Sequence, residues 1–441
     1  MDNLRSIKRH NYPRSAIGSV SMRCYAVVMR KFAATFPRPG TGRAIASTAA
    51  FNMAMVGMAG IGGVILARTV GPAVRGEYAA ITAWLDVAMV IGQFGQPAAV
   101  CYYVASDPLR ARQYVASSRV ILLTVGVLVL TAGLLFTPTL ARHNPQVAGG
   151  YRIALVAFAA MFAGCGYVSA LQARDLRLWN LTRISQPALG LLAYGALRAA
   201  RLLTLRTSLI AIAGSLLAQT GIARGCCGRR ELAPGSSDPR LLRPLGTYGL
   251  AQLTTLAPAT LNSQLGLIVL SQTVPPADLG RYAVALSLVL LPMPLVSAIG
   301  NVAFPRLAAR STATAASQRL QLRAVTGSAG IAAGMLLPLG VAAYRMIPLI
   351  FGPAYSGVVP LLWLLMPGAV SSACGQVAAD LLRGKNKLAA VAWAQGSAAV
   401  VLVILSIALL PFIGLAGFAV AYTVSYGFAL IMLLRSLWGR H

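Results

Sequence analysis

Apolar runs of about twenty residues recur along the chain between short polar breaks, a pattern that predicts membrane-spanning helices rather than soluble secondary structure. Twelve such runs cover approximately 44–67, 78–105, 120–140, 153–172, 181–197, 207–223, 246–272, 282–304, 324–350, 357–382, 388–410 and 412–434. Each can cross a hydrocarbon core roughly 30 Å thick as a helix. The longest internal break, Arg224 to Pro244 (RGCCGRRELAPGSSDPRLLRP), is rich in Gly, Pro, Ser and Arg and separates two sets of six. The expected fold is an all-α polytopic membrane protein of about twelve transmembrane helices in two six-helix lobes. Residues 1–43 form a basic cytoplasmic extension, 44–223 the first lobe, 224–245 a cytoplasmic linker, 246–435 the second lobe and 436–441 a cytoplasmic tail.

Charge placement orients this arrangement. With both termini in the cytoplasm, 29 of the 38 Lys and Arg fall in inside segments, the side that short basic loops prefer. The nine outside are Arg68, Arg75, Arg142, Arg152, Arg198, Arg201, Arg206, Arg281 and Arg345. Composition agrees, being 57% hydrophobic and 11% charged with a mean hydropathy of +0.71. A formal charge of +29 would suggest a nucleic-acid partner in a soluble protein. Here the basic residues sit beside apolar runs and meet headgroups, so anionic membrane lipids are the expected partners and nucleic acid is not. The first 43 residues carry nine Lys and Arg and include Tyr25 to Phe36 (YAVVMRKFAATF), which could lie on the anionic leaflet; a plain basic tail explains them more simply. They do not read as a cleavable signal peptide, because the first apolar run starts too late and is too long. Arginine greatly outnumbers lysine, as in a GC-rich bacterium, which points to a bacterial inner membrane. Six scattered cysteines and three histidines make no disulfide framework or metal motif, so no cofactor is expected.

The halves echo each other. Shifting the chain by 204 positions lays Thr69 to Ala79 (TVGPAVRGEYA) on Thr273 to Ala283 (TVPPADLGRYA), matching Pro72 with Pro276, Gly76 with Gly280 and Tyr78 with Tyr282. A shift of 209 lays Cys165, Gly166, Val168, Ala170 and Arg174 on Cys374, Gly375, Val377, Ala379 and Arg383. Both alignments keep the same side of the membrane, so the halves are parallel repeats about an axis along the membrane normal.

Leu66 to Tyr78 (LARTVGPAVRGEY), Asp278 to Ala285 (DLGRYAVA), Val302 to Leu307 (VAFPRL), Phe351 to Tyr355 (FGPAY) with Leu361 to Leu365 (LLWLL), and Leu382 to Lys387 (LRGKNK) carry a family resemblance. Over about residues 44–435 the chain resembles the Wzx-type oligosaccharide flippases of the MATE-like (multidrug/oligosaccharidyl-lipid/polysaccharide, MOP) superfamily. That resemblance implies a V-shaped pair of lobes around a central cavity and no covalent chemistry. It also implies translocation of a polyprenyl-(di)phosphate-linked oligosaccharide from the cytoplasmic to the outer leaflet; whether the protein works alone or beside a polysaccharide polymerase or glycosyltransferases stays open in the sequence.

A diphosphate and a hydrated glycan need a wet, cationic path through hydrocarbon, and arginine suits phosphate because its planar donors bind bidentately and stay protonated. The candidates for such a cavity are Arg68, Arg183, Arg198, Arg201, Arg206 and Arg281, with Arg306 and Arg345 also near helix ends. Each arginine alone is more often topogenic or snorkelling. Asn52, Gln93, Asn262 and Gln264 could meet sugar hydroxyls, although such residues more often bridge helices. Asp86, well inside a helix, could couple transport to a cation or pair with an arginine, the pairing being slightly favoured. Pro292 and Pro294 should bend the eighth helix. An ion-coupled multidrug exporter, a peptidoglycan-precursor flippase and, more remotely, a membrane glycosyltransferase or polymerase are the alternatives. No phosphate-cradling loop of a nucleotide-driven pump occurs. Fusion reporters check the orientation: alkaline phosphatase is expected to be active after Arg201 and silent after Arg177 or Arg435.

Overall fold

The computed structural model describes residues 41–142, 144–229, 235–297, 315–385 and 387–438. The expectations placed on residues 1–40, on Arg306 and on the VAFPRL segment lie outside them. The described residues are almost wholly helical: α1 (Thr41–Gln93), α2 (Gln96–Ser106), α3 (Ala111–Leu140), α4 (Pro145–Arg174), α5 (Leu176–Ala199), α6 (Leu205–Arg229), α7 (Pro239–Thr273), α8 (Pro276–Val289), α9 (Ala315–Phe351), α10 (Val358–Gly384) and α11 (Leu388–Trp438).

Local chemistry sets the breaks. Gly71 has φ 77° and ψ 175° inside α1, just before Pro72, and Gly414 has φ 56° and ψ −139° inside α11. At about 1.5 Å per residue, each of these helices of some fifty residues would exceed twice the bilayer core if straight. A residue without Cβ lets the backbone enter the left-handed region at each kink. The segment between the first two apolar runs, read from sequence as an outside loop, is thus helical on both sides of Gly71. Phe94 and Gly95, at φ 46° and 62°, end α1, and Pro97 lies in the first turn of α2. The predicted bend of the eighth helix is present: α8 stops at Val289 and a turn through Leu290 to Pro292 precedes the next helical residues. Six stretches are long and apolar enough to span a bilayer, or seven with bent α7 as one. Among the described residues this is fewer than the twelve runs, partly because the kinked stretches Ala50–Ser106 and Ala389–Trp438 each count once and partly because α4, α5 and the 14-residue α8 are not among those stretches.

Five of the nine acidic residues sit at helix ends. Asp175 accepts the Arg177 and Leu178 N–H groups at the start of α5, and Asp238 accepts that of Arg240 at the start of α7. These caps satisfy donors that have no intrahelical partner. Asp107, Asp278 and Asp380 pair with Arg110, Arg281 and Arg383 three residues on.

The ends of the helices sort into two sets. At one, poor in arginine, Arg142 at the end of α3 donates to the Val274 carbonyl after α7 at 3.3 Å, and Gln272 donates to that of Leu140. At the other, Gly235 N–H donates to Arg112 O, while Lys385 and Lys387 donate to the carbonyls of Leu437 and Ser436 at the end of α11. Loops assigned to one side by charge alone therefore meet one another, and the LRGKNK segment ties α10 to the last turn of α11.

Helix α7 belongs to both halves. Its Leu241 and Leu245 are buried with Val100, Val104, Val115 and Leu171 of the first half. Gln96, fully buried, donates to Leu245 O at 3.2 Å, and Ser117 Oγ accepts the Asp238 N–H at 3.0 Å. A Cβ on Gly249 would overlap the Phe94 carbonyl oxygen, so the backbones touch. Beyond a 48° bend at Pro258, Asn262 donates to Gln395 of α11 at 2.6 Å and Leu270 enters the second core. The buried join between the halves is thus within α7, past the linker where the composition placed it. Gln96→Ala removes a buried hydrogen bond to a carbonyl that keeps its helical partner, which costs about 0.5–1.5 kcal/mol, and Gly249→Val adds an overlap. Both are expected to lower the thermal unfolding midpoint of detergent-purified protein relative to Gly246→Ala, where nothing lies within 4 Å of the added carbon.

Candidate functional site

A cavity of about 500 Å³ opens beside the α7 bend, enclosed by α1, α4, α5, α6 and α7. Its polar lining is Thr82, Asp86, Gln93, Gln186, Thr260 and Gln264, and its apolar wall includes Met89, Phe158, Met161 and Leu216. The helical period explains the set: Thr82, Asp86, Met89 and Gln93 fall on one stripe of α1, and Thr260 and Gln264 lie one turn apart on α7.

Asp86 accepts a hydrogen bond from Gln264 Nε2 at 2.8 Å, joining the first half to the far side of the α7 bend. Asp86 takes part in none of the ion pairs among the described residues. Its described partner is an amide. The Asp86 carboxyl and the side-chain oxygens of Thr82, Gln93 and Thr260 line one hollow, and such oxygens are the acceptors that hard cations take.

Of the other sequence candidates, Gln93 and Gln264 line this cavity, while Asn262 bridges α7 to α11. No described lining residue of this cavity is Arg or Lys. Arg68 donates to Leu349 O at 2.9 Å and to Ile350 O at 3.5 Å, at the end of α9. Arg281 pairs with Asp278 at 2.9 Å. Arg198, Arg201 and Arg206 stand exposed around the α5–α6 turn, Arg201 with φ 57°. Arg183 sits about one turn from Gln186, its guanidinium 4.4 Å from the Trp179 ring centre and one N–H 3.1 Å from Asn52 Oδ1. Asn180 donates to Thr48 Oγ1 at 3.0 Å in the same α1–α5 seam. Sequence reading missed Gln186, whose spacing of three from Arg183 was the available signal, and Thr260, four before Gln264.

A second cavity of about 440 Å³ lies between α1 and the broken eighth helix, lined by Val56, Ser287, Leu290, Leu291, Met293, Pro294, Ser297 and Gln376. Both hollows set a few polar side chains in a mainly apolar lining, in a protein whose long apolar helices make it a multi-pass membrane protein. Solved structures share this fold. An inward-facing multidrug resistance MATE family transporter of the MOP superfamily is 14% identical, with 94% of this chain and 97% of that one covered and a TM-score of 0.74. The lipid II flippase MurJ in an inward closed conformation is 12% identical, with 88% and 86% covered and a TM-score of 0.74. An outward-facing MATE family transporter is 13% identical, with 89% and 93% covered and a TM-score of 0.62. None of the curated proteins matches the chain in sequence. The family does: residues 41–311 match the polysaccharide biosynthesis protein family, and the chain belongs to it.

Asp86→Asn keeps an oxygen to accept from Gln264 and removes the charge, whereas Asp86→Ala removes both. The Asn variant is expected to unfold within about a degree of wild type but to lose any stabilisation by sodium or other cations, since only binding to the folded state raises the midpoint. Equal cation stabilisation in wild type and Asp86→Asn would exclude Asp86 as a ligand.

Proposed function

We propose that this protein is a flippase that carries a polyprenyl-(di)phosphate-linked oligosaccharide from the cytoplasmic to the outer leaflet of a bacterial inner membrane by alternating access, for surface polysaccharide assembly. The observation that carries this reading is the polysaccharide biosynthesis family match, which spans the first half and runs into the second. The glycan passes through the hydrated space between the lobes while its polyprenyl tail stays in lipid. Arg183, oriented by Trp179 and Asn52, retains donors for a phosphate at the Arg-rich mouth. Asp86 binds the coupling cation, and its contact with Gln264 across the bend of α7 relates that site to the angle between the lobes. A polysaccharide polymerase or glycosyltransferase acts beside it, and anionic lipids surround its basic loops.

One observation favours a second reading: the larger cavity offers a carboxylate, two methionines and a phenylalanine with no described cationic side chain, a surface suited to an organic cation. An ion-coupled exporter would use it so. In liposomes, a fluorescent polyprenyl-diphosphate oligosaccharide is expected to exchange between leaflets only with protein, read by an impermeant quencher. Arg183→Ala is expected to slow exchange about tenfold or more, as befits loss of a charge-assisted phosphate contact, with Arg183→Lys partly restoring it. Protein-dependent efflux of a cationic dye with no exchange of any glycolipid would decide for the exporter.

A further inference from the structure

The motif that repeats in the two halves also forms their tightest meeting. A Cβ added to Gly76 would overlap the carbonyl oxygen of Pro276, and one added to Gly280 would overlap that of Pro72. These are the pairs that the 204-residue shift aligns, so each half offers the other the same proline carbonyl and the same bare glycine. Residues that are equivalent by repeat meet at the axis relating the halves, as in an isologous interface. Only an absent side chain permits that approach, and close backbones are what hold helices together in lipid.

Around the crossing, every hydrogen bond described between the halves runs from a side chain to a main-chain carbonyl. Arg68 reaches Leu349 and Ile350, Tyr355 Oη reaches Ala67 at 3.1 Å, Arg142 reaches Val274 and Gln272 reaches Leu140. Ala67 and Ala80 of the first half are buried in one core with Leu279, Tyr282 and Tyr355 of the second. A carbonyl at a helix end can exchange such a donor for water, so parting these contacts strands no charge. The Arg-rich end differs: there Gln96 is fully buried and α7 is packed into the first core, so that contact moves with the first half.

We propose that the Gly76–Gly280 crossing is the gate at the Arg-poor end, closed here by backbone contact at the pseudo-twofold axis and latched by Arg68, Arg142, Gln272 and Tyr355. This rests on the alternating-access reading and assigns Arg68 to gating rather than to the cavity wall. A longer side chain at either glycine disrupts both symmetric contacts at once, because they share one axis.

The test measures spin-label distances between Arg201→Cys and Tyr344→Cys, exposed sites on the first and second halves, in full-length protein whose native cysteines are replaced. Gly280→Leu or Gly76→Leu is expected to move the main population to longer distance, changing the open-to-closed ratio about tenfold or more. Gly327→Leu, with nothing within 4 Å of its added carbon, should leave the distribution unchanged. If the glycine variants fail to fold, Arg68→Ala with Tyr355→Phe removes latches without adding bulk and should also lengthen the distance. An unchanged distribution in folded Gly280→Leu, or in the latch variant where the glycine variants do not fold, overturns the gate. A lengthened distance with no glycolipid exchange in any variant or in wild type keeps the gate and removes the flippase.

Discussion

Everything in this molecule depends on two backbones touching where Gly76 and Gly280 meet the carbonyls of Pro276 and Pro72. In lipid the hydrophobic effect does not drive helices together, so close approach and hydrogen bonds must do so. The crossing supplies the first and the ring of side-chain-to-carbonyl bonds around it the second. Because the contact is made by equivalent residues, the two halves are registered to each other by symmetry.

The cavity then inherits a definite electrostatic character. Acids are few, and most sit at helix ends where dipoles and neighbouring arginines hold them. Asp86 and Glu77 instead lie inside α1, Asp86 with an amide for company. The arginines lie at the rims: Arg183 on an indole face in the α1–α5 seam, Arg68 and Arg142 on carbonyls at the opposite end. An anionic substrate would meet positive charge on entering and leaving, and a negative site in between. That division suits a substrate whose phosphate travels along the rim of the lobes while a cation occupies the first lobe.

Helix α7 links these sites. Its first third is buried with the first half, its last third with the second, and the 48° bend between them lies next to Thr260 and Gln264. A change of angle at Pro258 would move Gln264 relative to Asp86, so the proposed lobe motion would act on this cavity through one structural element.

Much of this was legible in the chain. Apolar runs and the Lys and Arg bias predicted a helical membrane protein, and the loops that charge placed together do meet, because lipid demands long self-satisfied helices whatever the partner. The 204-residue echo marked Gly76 and Gly280, and Pro292 marked the broken eighth helix. The kinks at Gly71, Gly95 and Gly414 were less visible, since a glycine in an apolar run is as often a packing surface as a left-handed turn. Nor could sequence say which polar side chains converge: Asp86 and Gln264 are 178 residues apart, Arg183 and Asn52 131. Periodicity tells which face of a helix is polar, not which helix that face will meet, and so the arginines' partners and the join within α7 were decided only by tertiary packing.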